Sequence, residues 1–172
     1  MKILYLINFA GKAGTEKYVE NLVRIFSAAG HECHFAYCVP GELSRKMEDW
    51  GVPSLQLDLG RSGAFSAPKR LARYCSEHGI EVIHAQYPRE NIIALLSLRH
   101  NSAPRVVYTN HLTQRSGARW RLLNKVFTPR DHKIIAVCRE GRDIMIQNGV
   151  CPERIEVIYN GVEPAKDRSR DH

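Results

Sequence analysis

The sequence lacks any apolar run long enough to cross a membrane. A spanning helix needs about 18 or more consecutive apolar residues, whereas the first apolar run of this 172-residue chain ends at Asn8. That run is also too short for the hydrophobic core of a secretory signal peptide. We therefore expect a cytoplasmic protein, and any contact with a membrane would be peripheral, at the inner face.

Cysteines with metal-binding or redox spacing are also missing. The five cysteines include no C-x-x-C pair, and their odd number argues against a disulfide framework. We expect reduced, mostly buried thiols, with Cys33 and Cys38 on opposite faces of one strand. Neither a metal site nor a bound cofactor is predicted.

Two common phosphate-binding fingerprints are absent as well. Gly11, Ala13 and Gly14 do not fit G-x-G-x-x-G, and no G-x-x-x-x-G-K-[ST] occurs, which disfavours nicotinamide dehydrogenases and P-loop NTPases. No zinc finger, helix-turn-helix or RNA-binding aromatic motif is present, so no nucleic-acid partner is predicted. Acidic residues are fewer than basic residues, with 18 Asp and Glu against 25 Lys and Arg. The net charge of +7 favours an anionic partner, such as a phosphorylated small molecule or an acidic lipid surface.

What the sequence does contain begins with its first βα unit. Residues 2–8 form a nearly continuous apolar run, which is typical of a parallel strand covered on both faces. A turn with Gly11 and Gly14 follows, and apolar residues from Tyr18 onward keep a helical spacing up to Gly30, the expected end of the helix. Because a helix N-terminus offers unpaired N–H groups and partial positive charge, this turn is a candidate phosphate site. A plain tight turn is an equal alternative.

Strands and helices alternate through the rest of the chain. This pattern predicts an α/β fold: a single Rossmann-like domain with a doubly wound parallel sheet at residues 1–163, followed by a charged, disordered tail at 164–172. Further strands are predicted at residues 31–38, 52–57, 80–85, 105–110, 133–137 and 155–158. Further helices are predicted at residues 42–50, 68–78, 90–99, 119–127 and 140–148, the last of which is expected to end at Gly149.

In such a sheet, ligands bind beyond the carboxyl ends of the strands. His111 follows the strand that ends at Asn110, and its ring could hydrogen-bond a sugar hydroxyl or a developing charge. A structural role is the commoner one for a lone histidine. His84 ends another strand, but its apolar neighbours favour a place in the core. Four segments are expected to converge at this edge: residues 9–14, 60–66, 84–90 and 110–117.

Three arginines lie on the same loops. Arg61, Arg89 and Arg115 could each bind a phosphate or a carboxylate, or each could be a solvated surface residue. Arg115 also opens a basic segment, residues 115–133, which holds six Lys or Arg against a single acid. Such a helix can lie on anionic lipid headgroups. The favoured alternative is a covering helix that packs its apolar side, formed by Trp120, Leu123 and Phe127, on the sheet and keeps its basic side free to touch lipid.

Several segments, in their order along the chain, resemble the N-terminal domain of retaining, nucleotide-sugar-dependent glycosyltransferases of the GT-B fold, family 4 type. They are AGTEKYVENL, SAAGHE, IEVIHAQ, VVYTNH, IIAVC and IEVIYNGVE, and the resemblance covers about residues 1–163. It implies two Rossmann-like domains that face a cleft. The N-terminal domain would mainly hold a glycan or lipid-linked acceptor, and the C-terminal domain would mainly hold the nucleotide-sugar donor.

The resemblance also implies roles for single residues. The loop from Gly11 through Ala13 to Gly14 would approach the donor diphosphate, His111 would contact the donor sugar near the reacting centre, and Asn160 would begin the crossing to the second domain. Glu16 is expected to act through helix-start electrostatics. The chain departs from the family pattern at three positions, where Ala13 replaces a glycine, Gln86 replaces a histidine and Tyr159 replaces a proline. We expect Ala13 to tighten or shift the loop and the other two changes to be neutral.

The chain ends before the second domain that the resemblance implies. We therefore expect the acceptor-side half of a glycosyltransferase, inactive without a C-terminal donor-binding partner. Two alternatives stay open: a non-catalytic anion-binding or membrane-binding module of the same fold, and half of a sugar epimerase.

Overall fold

The protein is described by a computed structural model covering residues 1–60, 63, 65–111 and 114–160. Its seven strands are β1 (Lys2–Phe9), β2 (Glu32–Val39), β3 (Ser54–Gln56), β4 (Val82–Ala85), β5 (Arg105–Asn110), β6 (Lys133–Ala136) and β7 (Ile155–Val157). Its six helices are α1 (Gly14–Ala28), α2 (Glu42–Asp49), α3 (Ala67–His78), α4 (Pro88–Ser97), α5 (Ala118–Phe127) and α6 (Arg139–Gln147). Short 3₁₀ turns occupy Thr128–Arg130 and Pro152–Arg154.

All seven strands join one parallel sheet in the order β3-β2-β1-β4-β5-β6-β7. The strand order reverses between β1 and β4, so the sheet is doubly wound and the predicted Rossmann-like α/β class is confirmed. The predicted tail at residues 164–172 lies outside the described residues.

Strand β1 is buried on both faces. Leu4 and Leu6 pack into one apolar cluster with α3 and α4, whereas Tyr5 and its neighbours pack into a second cluster with Val19 and Val23 of α1. Side chains on a strand alternate between its two faces, so burial on both faces requires a continuous apolar run. This explains why residues 2–8 show no polar alternation.

The cysteines are unpaired, as predicted. Cys33 belongs to the cluster beside α1, and Cys38 packs against the opposite cluster. Cys33 and Cys75 are buried, and the other three are half-buried.

Several predicted element boundaries were wrong. Strand β3 covers three residues instead of 52–57, because the Val52 N–H donates to the Met47 carbonyl and closes α2. Strand β4 begins two residues later than predicted, because the Ile80 N–H caps α3 through the Cys75 carbonyl. Helix α4 begins at Pro88 instead of residue 90, since proline suits a first helical position whose N–H would be unpaired anyway.

Glycine ends α1 and α6, as predicted, for two different reasons. Gly30 has a φ of +84° with open space around it, so only its backbone conformation favours glycine. Gly149 has a φ of +82°, and a Cβ there would lie 2.6 Å from the Arg121 carbonyl oxygen. Gly149 therefore also allows the end of α6 to approach α5.

Helix α5 covers the sheet less closely than predicted. Its expected apolar face, formed by Trp120, Leu123 and Phe127, is only half-buried. Leu122 and Val126 face solvent, with 64% and 49% of their surface exposed. Packing of the apolar side against the sheet is therefore partial, and a second apolar stripe stands on the outside of the helix.

A buried polar pair ties α4 to the chain before β6. The Asn91 Nδ2–H donates to Asp131 Oδ2 over 2.9 Å, and each residue is 1% exposed. The remaining side-chain oxygens, Asn91 Oδ1 and Asp131 Oδ1, have no hydrogen-bond partner. Burial raises the pKa of Asp131 to about 8, although Asn91 and Arg154 act in the opposite direction. A proton on Asp131 Oδ1 can be donated to Asn91 Oδ1, which would satisfy both atoms at once.

This pair predicts a pH-dependent stability. The folded-state pKa of Asp131, about 8, lies above its unfolded value, so its stabilising effect is complete below about pH 4 and declines as the pH rises toward 8. Asp131→Asn keeps the shape and can donate the same hydrogen bond without titrating. Between about pH 7 and 8, we expect the free energy of unfolding of the wild type to fall more steeply than that of the variant, by roughly 1 kcal/mol per pH unit.

Chemical denaturation at several pH values measures this slope. His84 and His111 have lowered pKa values, so their opposite contribution is complete above about pH 6.5 and does not enter this window. Glu90, whose pKa is raised to about 7, contributes equally to both proteins. Equal slopes for the wild type and Asp131→Asn would show that Asp131 is ionised in the folded state.

Candidate functional site

A cavity of about 670 Å³ opens at the carboxyl edge of the sheet. It lies at the junction of β1 and β4, where the strand order reverses, which is where ligands bind in doubly wound folds. Three loops line it, those that follow β1, β4 and β5. With the strand ends and first helical turns that flank these loops, the lining residues are Asn8, Phe9, Ala13 and Glu16 between β1 and α1, Tyr87, Pro88, Arg89 and Glu90 between β4 and α4, and Gln114, Arg115, Ser116, Gly117 and Trp120 between β5 and α5.

Three helices begin at this cavity. The residues that precede α1, α4 and α5 are Ala13, Tyr87 and Gly117, and none of them caps its helix with a side chain. The Glu16 carboxylate accepts the Ala13 N–H at 3.1 Å, which agrees with the electrostatic role predicted for it. The first turn of α5 carries no acid. The positive ends of three helices therefore point toward one space, and that of α5 has no compensating carboxylate in its first turn.

The loop after β1 is supported from behind by α2. The Leu43 N–H donates to the carbonyl oxygens of Ala10 at 3.0 Å and Gly11 at 3.2 Å. A Cβ on Gly41 would lie 2.5 Å from the Ala10 oxygen, so glycine is needed for this close approach. Gly14 has no atom within 4 Å of its Cβ position, and of the turn from Gly11 to Gly14 only Ala13 lines the cavity.

His111 stands directly after β5, among aromatic rings. Its Nε2 lies 3.0 Å from Gln86 Oε1, and its ring packs edge-on against Tyr18 at 5.1 Å between centroids. The ring of Tyr87, which lines the cavity, lies 5.8 Å away. Burial lowers the pKa of His111 to about 4, so the imidazole is neutral at physiological pH. A neutral imidazole can both donate and accept a hydrogen bond.

His84 is enclosed by the core and does not line the cavity. Its Nε2 lies 2.7 Å from Thr109 Oγ1, and its ring contacts those of Tyr5 and Tyr18. The Tyr18 hydroxyl also bonds to Thr109. Burial, with His111 nearby, lowers the pKa of His84 to about 3. This packing agrees with the alternative that places His84 in the core. His84 supports the residues beneath His111.

The remaining predicted site residues fall into two groups. Arg89 and Arg115 line the cavity from neighbouring loops. Asn110 is buried at the end of β5, and Asn160 is exposed beyond β7, away from the cavity lining. Arg61 lies outside the described residues.

The expected convergence of four segments holds for three of them. Gly60, Gly63, Phe65 and Ser66, the described residues of the segment 60–66, do not line the cavity. The reason is the strand order, because β3 is the outer strand, separated from β1 by β2.

Sequence reasoning missed two polar residues at this edge. Glu90 is 1% exposed at the cavity wall, and burial raises its pKa to about 7, with Arg89 and the Asn8 backbone acting in the opposite direction. Gln86 is fully buried and contacts His111, although its change from histidine was expected to be neutral. The position of Gln86 next to a strand end was the sequence signal that could have identified it. Among the described residues, no group of three His, Cys, Asp or Glu could hold a metal ion.

Comparison with known proteins gives a family and a fold. The family model described as Glycosyltransferase Family 4 matches residues 13–166. Comparison with curated protein sequences gives no significant match.

Three solved structures illustrate the shared fold. Alr3699/HepE from Anabaena, crystallised with UDP-glucose, is 18% identical with a TM-score of 0.78, over 95% of this chain and 44% of that protein. A glycosyltransferase from Rickettsia africae is 15% identical with a TM-score of 0.76, over 94% of this chain and 43% of that one. The lipopolysaccharide outer core galactosyltransferase WaaB, in its apo form, is 13% identical with a TM-score of 0.73, over 98% of this chain and 50% of that one.

The chain thus spans half or less of the length of each of these structures. The likeness at such low identity concerns the fold, and it agrees with the seven-stranded sheet described above. The match to the family model extends over most of the sequence. The chain therefore belongs to glycosyltransferase family 4 and forms an N-terminal domain of the GT-B type.

Proposed function

We propose that this chain is the acceptor-side half of a retaining glycosyltransferase, which transfers a sugar from a nucleoside-diphosphate sugar to a glycan or lipid-linked acceptor. The carrying observation is that the loops after β1, β4 and β5 meet in one cavity at the switch point of the sheet, with neutral His111 packed against its wall. Family membership supports the same reaction class. The family model that matches is a glycosyltransferase model, which favours this function over half of a sugar epimerase.

Each part of the cavity suits a different part of the reaction. The turn from Gly11 through Ala13 to Gly14 offers the N-terminus of α1 to a diphosphate, with Ala13 at the cavity wall. His111 can hydrogen-bond a sugar hydroxyl without carrying charge. Arg89 and Arg115 suit an anionic group on either substrate. Catalysis would then rest on positioning and on stabilising the departing diphosphate. The UDP-glucose bound to Alr3699/HepE supports a donor of this class.

A second α/β half is part of this proposal. Apolar side chains stand exposed at the carboxyl ends of three strands, namely Phe9 as the last residue of β1, Val39 as the last residue of β2 and Tyr159 shortly after β7, with 51%, 43% and 63% of their surface exposed. Such residues suit a face that another domain covers. The chain alone also spans half or less of the compared structures. We expect that half to hold the nucleotide, so that the 172 residues alone do not turn over donor.

Release of UDP from UDP-glucose tests the proposal. We expect turnover from the 172 residues joined to a nucleotide-binding half and none above background from the 172 residues alone. His111→Ala in the joined protein should lower kcat by about 100-fold or more, because the ring is expected to contact the reacting sugar. His100→Ala, at an exposed histidine beyond α4, is the matched control and should retain activity.

Two results would contradict this reading. Robust turnover by the 172 residues alone would show that no second half is needed. Equal activity of His111→Ala and His100→Ala would remove His111 from the catalytic site.

A specific observation favours a second function, which is contact with an anionic membrane surface. The protein would meet a lipid-linked acceptor at that surface. Leu122 and Val126 stand exposed one helical turn apart on α5, beside Arg119, Arg121 and Lys125. The single acid of residues 115–133 is Asp131, which is buried, so the solvent-facing surface of this segment carries only positive charge. No helix in the described part of the chain is both long and apolar enough to cross a membrane.

Vesicle binding measures this contact. We expect the chain to float with vesicles that contain phosphatidylglycerol, less so as salt rises, and not with neutral phosphatidylcholine vesicles. Leu122→Glu should reduce binding several-fold, because it places a carboxylate in the apolar stripe. Ile25→Glu makes the same change on α1, where Ile25 is 56% exposed, and should leave binding intact. Equal losses in both variants, or equal binding to neutral vesicles, would exclude α5 as the contact surface.

A further inference from the structure

Gln86 is the first residue after β4 and has no surface exposed to solvent. Its backbone N–H donates to the Leu6 carbonyl of β1 at 3.2 Å, which extends the β1–β4 pairing by one residue. Its side chain reaches across to His111, the first residue after the neighbouring strand β5. Two equivalent strand ends are therefore joined by one side-chain contact.

The orientation of the Gln86 amide follows from its second contact. The Gln86 Nε2–H donates to the His84 carbonyl oxygen at 3.2 Å. The reversed amide would place two acceptor oxygens against each other, in a buried site where an unpaired polar group is costly. The Oε1 atom therefore faces His111, whose Nε2 lies 3.0 Å away.

An amide oxygen can only accept a hydrogen bond, so the imidazole nitrogen that faces it must donate. We infer that Gln86 is a positioning residue that holds His111 as the neutral Nε2–H tautomer, with Nδ1 left as a hydrogen-bond acceptor for substrate. The contact between Gln86 and His111 uses Nε2 and does not involve Nδ1. The Tyr18 and Tyr87 rings pack against the imidazole and limit its rotation.

What this tautomer means for substrate binding rests on the proposed function. A neutral imidazole with a lone pair on Nδ1 accepts a hydrogen bond from a sugar hydroxyl, whereas it offers no donor there for a phosphate oxygen. His111 is thereby assigned to hydroxyl recognition, and the anionic groups of the substrates are left to the helix N-termini and the arginines. Replacement of a histidine by Gln86 keeps an acceptor opposite His111 without adding a second group that titrates near neutral pH.

The tautomer can be measured on the 172-residue chain without any substrate. Long-range proton–nitrogen correlation spectra of the imidazole rings distinguish Nε2–H from Nδ1–H. We expect His111 to show the Nε2–H pattern, unchanged from about pH 5.5 to about pH 8, because its pKa lies well below that range. An Nδ1–H pattern for His111 would overturn the inference, whether or not the protein is a glycosyltransferase.

Gln86→Glu provides an independent test of the contact. A carboxylate opposite Nε2 favours the imidazolium, so we expect the pKa of His111 to rise by about one unit or more. Gln56→Glu is the matched control, because Gln56 lies on the edge strand β3, three strands away from β4. It should leave the titration of His111 unchanged. Identical His111 titrations in both variants would show that Gln86 does not act on the ring.

The two measurements separate this inference from the proposed function. If Gln86→Glu does not fold, the tautomer of the wild type still decides the question. If the tautomer is Nε2–H but His111→Ala keeps full activity in the joined protein, the positioning stands and the proposed role of His111 fails.

Discussion

The pairing of β1 with β4 is the constraint on which the rest of this structure depends. These strands are neighbours in the sheet but lie about 80 residues apart along the chain, and between them the strand order changes direction. The connections that leave them run toward opposite sides of the sheet, so their loops diverge and leave a crevice. The cavity lies in that crevice. The continuous apolar run of β1 makes this possible, because only a strand buried on both faces can occupy the centre of such a sheet.

Burial then decides which groups at this edge carry charge. His84 and His111 lose their protons because the imidazolium form is poorly solvated beside β4 and β5, and Glu90 holds its proton more tightly for the same reason. The permanent positive charges come instead from Arg89 and Arg115 and from the starts of three helices. Neutral imidazoles behind the cavity wall and two arginines in its lining suit a ligand that combines hydroxyl groups with an anionic group.

The elements that could be predicted from the sequence are those with a local cause. A nearly continuous apolar run identified β1, and the helical spacing of apolar residues identified α1. The glycines after α1 and α6 marked helix ends. The failures have non-local causes. The described residues of the segment 60–66 do not line the cavity, because β3 pairs at the edge of the sheet and no single segment of sequence specifies the strand order. The contact of Gln86 with His111 depends on the parallel register of β4 and β5, which pairs Ala85 with Tyr108 and so brings the two following loops side by side.

Local sequence patterns also could not show how α5 packs. This helix links the cavity to the outer surface. Periodicity identified Trp120, Leu123 and Phe127 as an apolar face, but it could not show how little of that face the sheet would cover. Trp120 lines the cavity, whereas Leu122 and Val126 stand on the outside of the same helix. Because α5 is short and rigid, any surface that binds its outer stripe lies within about one helix diameter of the cavity mouth. An acceptor with a sugar headgroup and a lipid tail could then keep its tail in the bilayer while its headgroup enters the cavity.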